Sequence, residues 1–155
     1  MSPDQRARMI QRYRDGYTEV CRAIEGFTDA QLDARLDGDG WSARQVIHHL
    51  ADGEATSAIR LRRLIAEERP LIVAYDEAEF ARRLYYDRPI ASSLALFKAA
   101  RESTAEILER LTEEQWGRAG THSESGAYSV QTWLELYVAH ALEHAVQIRR
   151  AAGTA

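Results

Sequence analysis

Residues 129–148 read SVQTWLELYVAHALEHAVQI. The apolar and aromatic positions, Val130, Trp133, Leu134, Tyr137, Ala141 and Ile148, recur at spacings of three and four. At about 100° per residue they share one arc of roughly a third of a helix circumference, and His140 and His144 fall inside it. Ser129 suits the cap position and Gly153 the stop. The segment is therefore an amphipathic helix carrying two imidazoles on its buried stripe, one turn apart. A buried imidazole needs a bonding partner, so the stripe predicts that something polar meets this helix inside the protein.

Three further segments carry the same periodicity. The first opens at Ser2-Pro3, with Gln5 completing a capping box, and runs through Met9, Ile10, Tyr13, Tyr17, Val20, Cys21 and Ile24. A capped turn is expected at Thr28 to Leu32, and Gly38-Asp39-Gly40 closes an acidic connection. The second begins at Ser42, boxed by Gln45, and extends to about Glu68 through Val46, Ile47, Leu50, Leu61, Leu64 and Ile65. The third follows Pro89 through Ile90, Leu94, Phe97, Thr104, Ile107, Leu108 and Leu111. Thr112 to Gln115 reads as another capped turn, and Trp116 to Tyr128 as an irregular loop. No alternation of period two marks a strand. Four long amphipathic helices predict an all-α four-helix bundle as a single domain over residues 1–155. The connection over residues 70–89, with a short helix expected at Glu77 to Leu84, is long enough to return the chain along the bundle. It permits an up-down-down-up order, with a long crossover between helices two and three.

Composition narrows the function. A net charge of −4 argues against nucleic-acid binding. No apolar run reaches membrane-spanning length, and the N-terminus lacks the apolar stretch of a signal peptide. A single cysteine excludes an internal disulfide and makes the cytoplasm the expected compartment. Cys21, on the apolar stripe of helix one, is expected to be a small buried hydrophobe rather than a nucleophile.

The remaining histidines are His48, His49 and His122. On the helical wheel of helix two His49 stands at the edge of the apolar arc, with Asp52 and Arg60 on the same edge, while His48 lies nearly opposite and should face solvent. His49, His140 and His144 converging from two helices would have the composition of an open metal site, with positions left for water or substrate. Imidazole donors suit Zn, Ni, Cu and Fe, so the ligand set alone does not choose.

Trp41-Ser42 followed by His49-Leu50-x-Asp52, then Pro70 to Glu77, His122 to Gly126 and His140 to Ile148, resembles the DinB-like superfamily in its YfiT-type branch. The resemblance spans nearly the whole chain. It implies an up-down-down-up bundle holding a divalent metal, Zn or Ni first and Fe or Mn next, on three histidines. The helix-two ligand of the family stands eight residues after the tryptophan, which here is His49; the other two map onto His140 and His144. The branch often has a histidine immediately before the last ligand, where this chain has Glu143. The resemblance also implies a homodimer and a small-molecule substrate, with a low-molecular-weight thiol as cosubstrate.

Two chemistries suit such a site. The metal can lower the pKa of bound water for hydrolysis, or it can hold a thiol as the reactive thiolate. No general base is evident among the inward residues, which favours thiol transfer to an electrophile over hydrolysis. Asp52 is a candidate for orienting a ligand imidazole or serving as base, Tyr137 for lining the pocket, and His122 for a further contact or proton shuttle. The alternative from another class is a non-catalytic metal-binding stress-response protein, for which a closed four-ligand site would be expected.

Overall fold

Four of the helices start on one device. The hydroxyls of Ser2, Thr28, Ser42 and Thr112 accept from the backbone N–H three residues on, and the side chains of Gln5, Gln31, Gln45 and Gln115 return the bond. The computed structural model describes residues 1–36 and 40–154. The turn expected at Gly38-Asp39 lies outside the described residues. The elements are α1 (Pro3–Ala23), α2 (Asp29–Asp33), α3 (Ala43–Ala66), β1 (Leu71–Ile72), α4 (Glu77–Arg83), α5 (Ala91–Leu108), α6 (Glu113–Trp116), β2 (Ala119–His122), β3 (Gly126–Ser129) and α7 (Val130–Ala151).

Side-chain pairs establish the directions of the four long helices. His48 meets Ser93, Glu54 meets Arg101 and Arg62 meets Thr104, so α3 and α5 run parallel. His49 meets His140 while Trp133 bonds Ser57, so α3 and α7 are antiparallel. Arg14 meets Glu109 while Tyr17 stacks on Phe97, so α1 and α5 are antiparallel. The order is up-down-down-up, and residues 67–90 make the crossover.

The expectation of no strands is corrected. β1 pairs in parallel with β2, and β2 pairs antiparallel with β3 in the order β1-β2-β3, with Leu71 opposite Thr121 and His122 opposite Gly126. The loop expected from Trp116 to Tyr128 is largely this hairpin. Gly120 is where β2 crosses closest to the crossover: a Cβ there would meet the Pro70 ring at 3.0 Å. Gly126 opens β3 at φ +79°, a left-handed conformation that favours glycine.

Two apolar clusters fill the bundle. One gathers Tyr13, Leu61, Leu64, Leu108, Trp133 and Leu134. The other gathers Val46, Ile47, Leu50, Phe97, Ala145 and Ile148. Arg101 stands at their junction, its guanidinium 4.4 Å from the Tyr13 ring and 4.7 Å from that of Phe97. It pairs with Glu54 at 2.8 Å, and the two side chains are 1% and 0% exposed. The Tyr13 hydroxyl donates to the same carboxylate, and Arg101 also donates to the backbone carbonyls of Tyr13 and Tyr137. Every charge in this network is thus paired and hydrogen-bonded, as burial demands.

Candidate metal centre

The Ser42–Gln45 box fixes where α3 starts, and Trp41 immediately before it packs edge-on against the His49 ring at 4.9 Å. Seven residues after the cap, His49 points across the bundle at α7. There it meets His140 and His144, which stand one turn apart, edge to face, with ring centroids at 4.5 Å. The Nε2 atom of His140 lies 3.2 Å from that of His49 and 3.1 Å from that of His144. Zn–N bonds of about 2.0–2.1 Å at tetrahedral angles would set donor atoms roughly 3.3 Å apart. The two distances to His140 match that spacing, and the three ligand atoms all lie within 4.8 Å of one another.

The electrostatics agree. Burial, then the neighbouring His144, pushes His49 down to about 4. Burial, then His144 and His49, pushes His140 down to about 2. His144 is also lowered by burial, against opposing pulls from Gln147, Glu77 and Glu143. Burial favours the neutral form of all three imidazoles near pH 7, and a neutral imidazole with its proton on Nδ1 presents its Nε2 lone pair to a cation. Nδ1 of His144 bonds the Gln147 side chain at 2.6 Å, which leaves its Nε2 as the donor atom to an ion. Nδ1 of His49 and of His140 are buried without a hydrogen-bond partner. The donor set fits a divalent metal, and among the described residues no fourth histidine, cysteine or carboxylate joins it.

The other candidate residues fall in three places. Asp52 touches none of the imidazoles; its carboxylate accepts from the Tyr86 hydroxyl at 2.7 Å. Tyr86 packs against the Trp41 ring at 6.3 Å, and Trp41 in turn packs against His49. Tyr137 is buried one turn before His140, ring centroids 5.7 Å apart, with its hydroxyl accepting from Arg60 at 3.3 Å. Burial raises the Tyr137 pKa, so it stays protonated. His122 ends β2, and its Nδ1 accepts from the turn N–H groups of Glu124 and Ser125 at 3.3 and 3.4 Å. Glu143 is exposed. Cys21 is half-buried rather than buried, and it is not part of the centre.

His48 corrects the wheel. It is fully buried, with Nδ1 2.8 Å from the Ser93 hydroxyl and Nε2 2.9 Å from the Arg88 carbonyl. A carbonyl only accepts, so Nε2 carries the proton and Nδ1 accepts from Ser93. The wheel assumed one buried face. Helix α3 has two, one against α7 and one against α5, and His48 occupies the second.

A cavity of about 470 Å³ opens beside His140. Its walls include Arg60, Tyr75, Tyr128, Tyr137 and His122, with Glu77 and Glu143 also lining it. Gly53, one turn after His49, leaves it open: a Cβ there would stand 3.4 Å from both the His140 ring and the Tyr75 hydroxyl. The sequence reading placed Arg60 on the His49 edge without assigning it a part, and it missed Tyr75 and Tyr128. Those two reach the site from the crossover and the hairpin, which carry no periodicity that points inward.

Fold and site together define a class: an up-down-down-up four-helix bundle with a three-histidine centre suited to a divalent metal, open to a cavity. The chain belongs to the DinB superfamily, whose profile matches residues 9–148. A protein of Oceanobacillus iheyensis, provisionally named a metal-dependent hydrolase, is 39% identical over 118 residues, covering 76% of this chain and 69% of its own. YfiT of Bacillus subtilis, with the same provisional name, is 33% identical over 152 residues, covering 96% of this chain and 84% of its own. The solved structure of YfiT superposes with a TM-score of 0.90 at 31% identity, covering all of this chain and 91% of that one. The mycothiol-dependent maleylpyruvate isomerase shares the fold, with a TM-score of 0.75 at 13% identity over 92% of this chain and 60% of its own.

Proposed function

We propose that this chain is a metal-dependent enzyme that transfers a low-molecular-weight thiol to an electrophilic small molecule, at a centre held by His49, His140 and His144. The observation that carries the reading is the meeting of three lowered-pKa imidazoles beside a cavity that His140 lines and that is large enough for a small substrate. A divalent ion held by these three residues, Zn or Ni first and Fe or Mn next as the family resemblance implies, would supply the positive charge that acidifies a thiol or water beside it.

The chain's own residues favour the thiol. Cys21 stands away from the centre, so the sulfur must come from a cosubstrate. A hydrolase gains most from a general base within hydrogen-bond reach of the attacked water. Asp52 is engaged by Tyr86, His122 Nδ1 by its own turn, and Glu77 and Glu143 are exposed. Tyr137 and Tyr75 keep their protons, since burial raises both, and so can donate hydrogen bonds but not abstract protons. The bundle shared with a mycothiol-dependent isomerase is consistent with thiol chemistry. Hydrolysis is the second reading, favoured by the names of the relatives.

The test begins with metal analysis of the purified protein beside a His140→Ala/His144→Ala variant. Near-stoichiometric metal that is lost in the variant is expected; equal metal in both overturns the centre. The loaded protein is then given cysteine-derived thiols with chlorodinitrobenzene, where a carbon–sulfur bond forms as chloride and the thiol proton leave. Metal-dependent thioether formation is expected. Ester or amide cleavage without thioether would establish the hydrolase, and neither activity would leave a metal-binding protein without catalysis.

A further inference from the structure

Arg60 is the conspicuous cation of the cavity. Its guanidinium has five N–H donors in a planar fork. One nitrogen donates to the Tyr137 hydroxyl at 3.3 Å and another to the Val73 carbonyl at 3.0 Å, while Nε is buried with no partner. Arg60 forms no ion pair among the described residues, although the chain has 24 acidic side chains. It lies 5.6 Å from the centroid of the Tyr75 ring, another wall of the same cavity. Beside it Tyr128 is 4% exposed, and its hydroxyl stands near that of Tyr137 without a hydrogen bond of normal geometry. A buried hydroxyl left unbonded costs on the order of 1–3 kcal/mol. Two such orphans at one cavity wall, one of them on an unpaired guanidinium, describe a receptor for an oxyanion.

We propose that this wall is the subsite for the carboxylate of a small organic substrate. Arg60 takes the carboxylate on its unused N–H groups and the Tyr128 hydroxyl supplies a further hydrogen bond. The proposal deepens the enzymatic reading of the centre and rests on it for the identity of the reacting end. Tyr137 sets the spacing. It bonds Arg60 through its hydroxyl and stands one turn before His140, so a substrate anchored on Arg60 extends along Tyr137 and past Gly53 toward the three imidazoles. Glu77 and Glu143, on the same cavity, disfavour a second negative charge. The preferred ligand is therefore a monocarboxylate whose other end is neutral or cationic. Arginine and a hydroxyl on a planar carboxylate are worth far more than on the matching amide, because the bonds are charge-assisted.

The experiment uses the protein as purified and, beside it, the same protein stripped of metal, so that a carboxylate held by an ion is told apart from one held by the wall. Binding of phenylpropionate and of its primary amide is measured by calorimetry or by NMR titration. The two probes have the same shape and differ in charge. The acid is expected to bind about tenfold more tightly than the amide or better. Arg60→Met should bring that ratio close to one, and Arg60→Lys should keep part of it. Tyr128→Phe removes only an unbonded hydroxyl, so it should keep the thermal stability while reducing the ratio severalfold. A ratio near one in the wild type, an unchanged ratio in Arg60→Met, or no binding of either probe overturns the subsite. The two proposals fail separately: loss of metal uptake or thiol transfer with the ratio intact sinks the enzymatic reading alone. A flat ratio with metal uptake and transfer intact sinks the subsite alone.

Discussion

Acidifying the metal-free protein should destabilise it, and the share that His49 contributes can be isolated. Its imidazole is held at about 4 in the folded chain against an ordinary 6.5. The folded pKa is the lower one, so the unfolded chain takes the proton first. The stability this group contributes is fully present above the unfolded value and is lost as pH falls through the window from 6.5 toward 4. Over the whole window the loss is about 3 kcal/mol, of which about 2 kcal/mol is spent between about pH 7.5 and about pH 5. His140 and His144 add to it in the same direction. Glu54 acts the opposite way, since burial raises its carboxyl and acid relieves that cost. Urea unfolding should show the effect directly: with a slope of about 2 kcal/mol per molar, the His49 share moves the midpoint by about 1 M. The comparison is with His49→Leu, in which Glu54 and the other two histidines are retained. The variant's midpoint should fall with acid by about 1 M less than the wild type's. If both chains lose stability equally between those two pH values, His49 is not buried and neutral in the folded protein, and the geometry of the centre is wrong. Added divalent metal should raise the wild-type midpoint near neutral pH and lose that effect as the solution is acidified, because protons and the ion compete for the same lone pairs.

Three other perturbations test the surroundings. Gly16→Ala puts a methyl group 2.8 Å from Ala141 and against the Arg101 guanidinium, so it should cost about 1–3 kcal/mol or more by overpacking, read as a lower urea midpoint. Arg101→Met leaves the Glu54 carboxylate buried without its cation, a loss of about 3–5 kcal/mol near neutral pH; since the carboxyl is then easier to protonate, the deficit relative to the wild type should shrink with acid. Gly53→Leu fills the space between His140 and Tyr75; metal content should be retained while binding of phenylpropionate is lost.

What the chain disclosed of itself follows the range of its physical signals. Capping boxes and periodicity of 3.6 are local, and they located the long helices within a few residues. Ser42–Gln45 even fixed the phase that brings His49 inward. The signal for His48 was local too, and it misled, because a helix wheel describes a single partner and α3 has two. The sheet was invisible for a different reason: β1 has two residues, and β2 and β3 are rich in glycine, alanine and serine. Alternation needs more residues than that to register. Glu54 and Arg101 stand 47 positions apart, and nothing in either neighbourhood announces a buried pair. Tyr75 and Tyr128 come from the crossover and the hairpin, so their place at the cavity exists only once the bundle closes.

The crossover links topology to chemistry. Residues 67–90 let α3 and α5 run parallel, and that arrangement sets α3 antiparallel to α7, with His49 opposite His140 and His144. The same segment then lies over the cavity that the arrangement opens. Pro70 and Ile72 tie it to β2 through their carbonyls, the Val73 carbonyl holds Arg60, and Tyr75 and Glu77 form part of the wall. The length of the connection is therefore part of the site. The small sheet keeps that connection in register, and changes that loosen the β1–β2 pairing should disturb the cavity while sparing His49, His140 and His144, all of which stand on the two long helices.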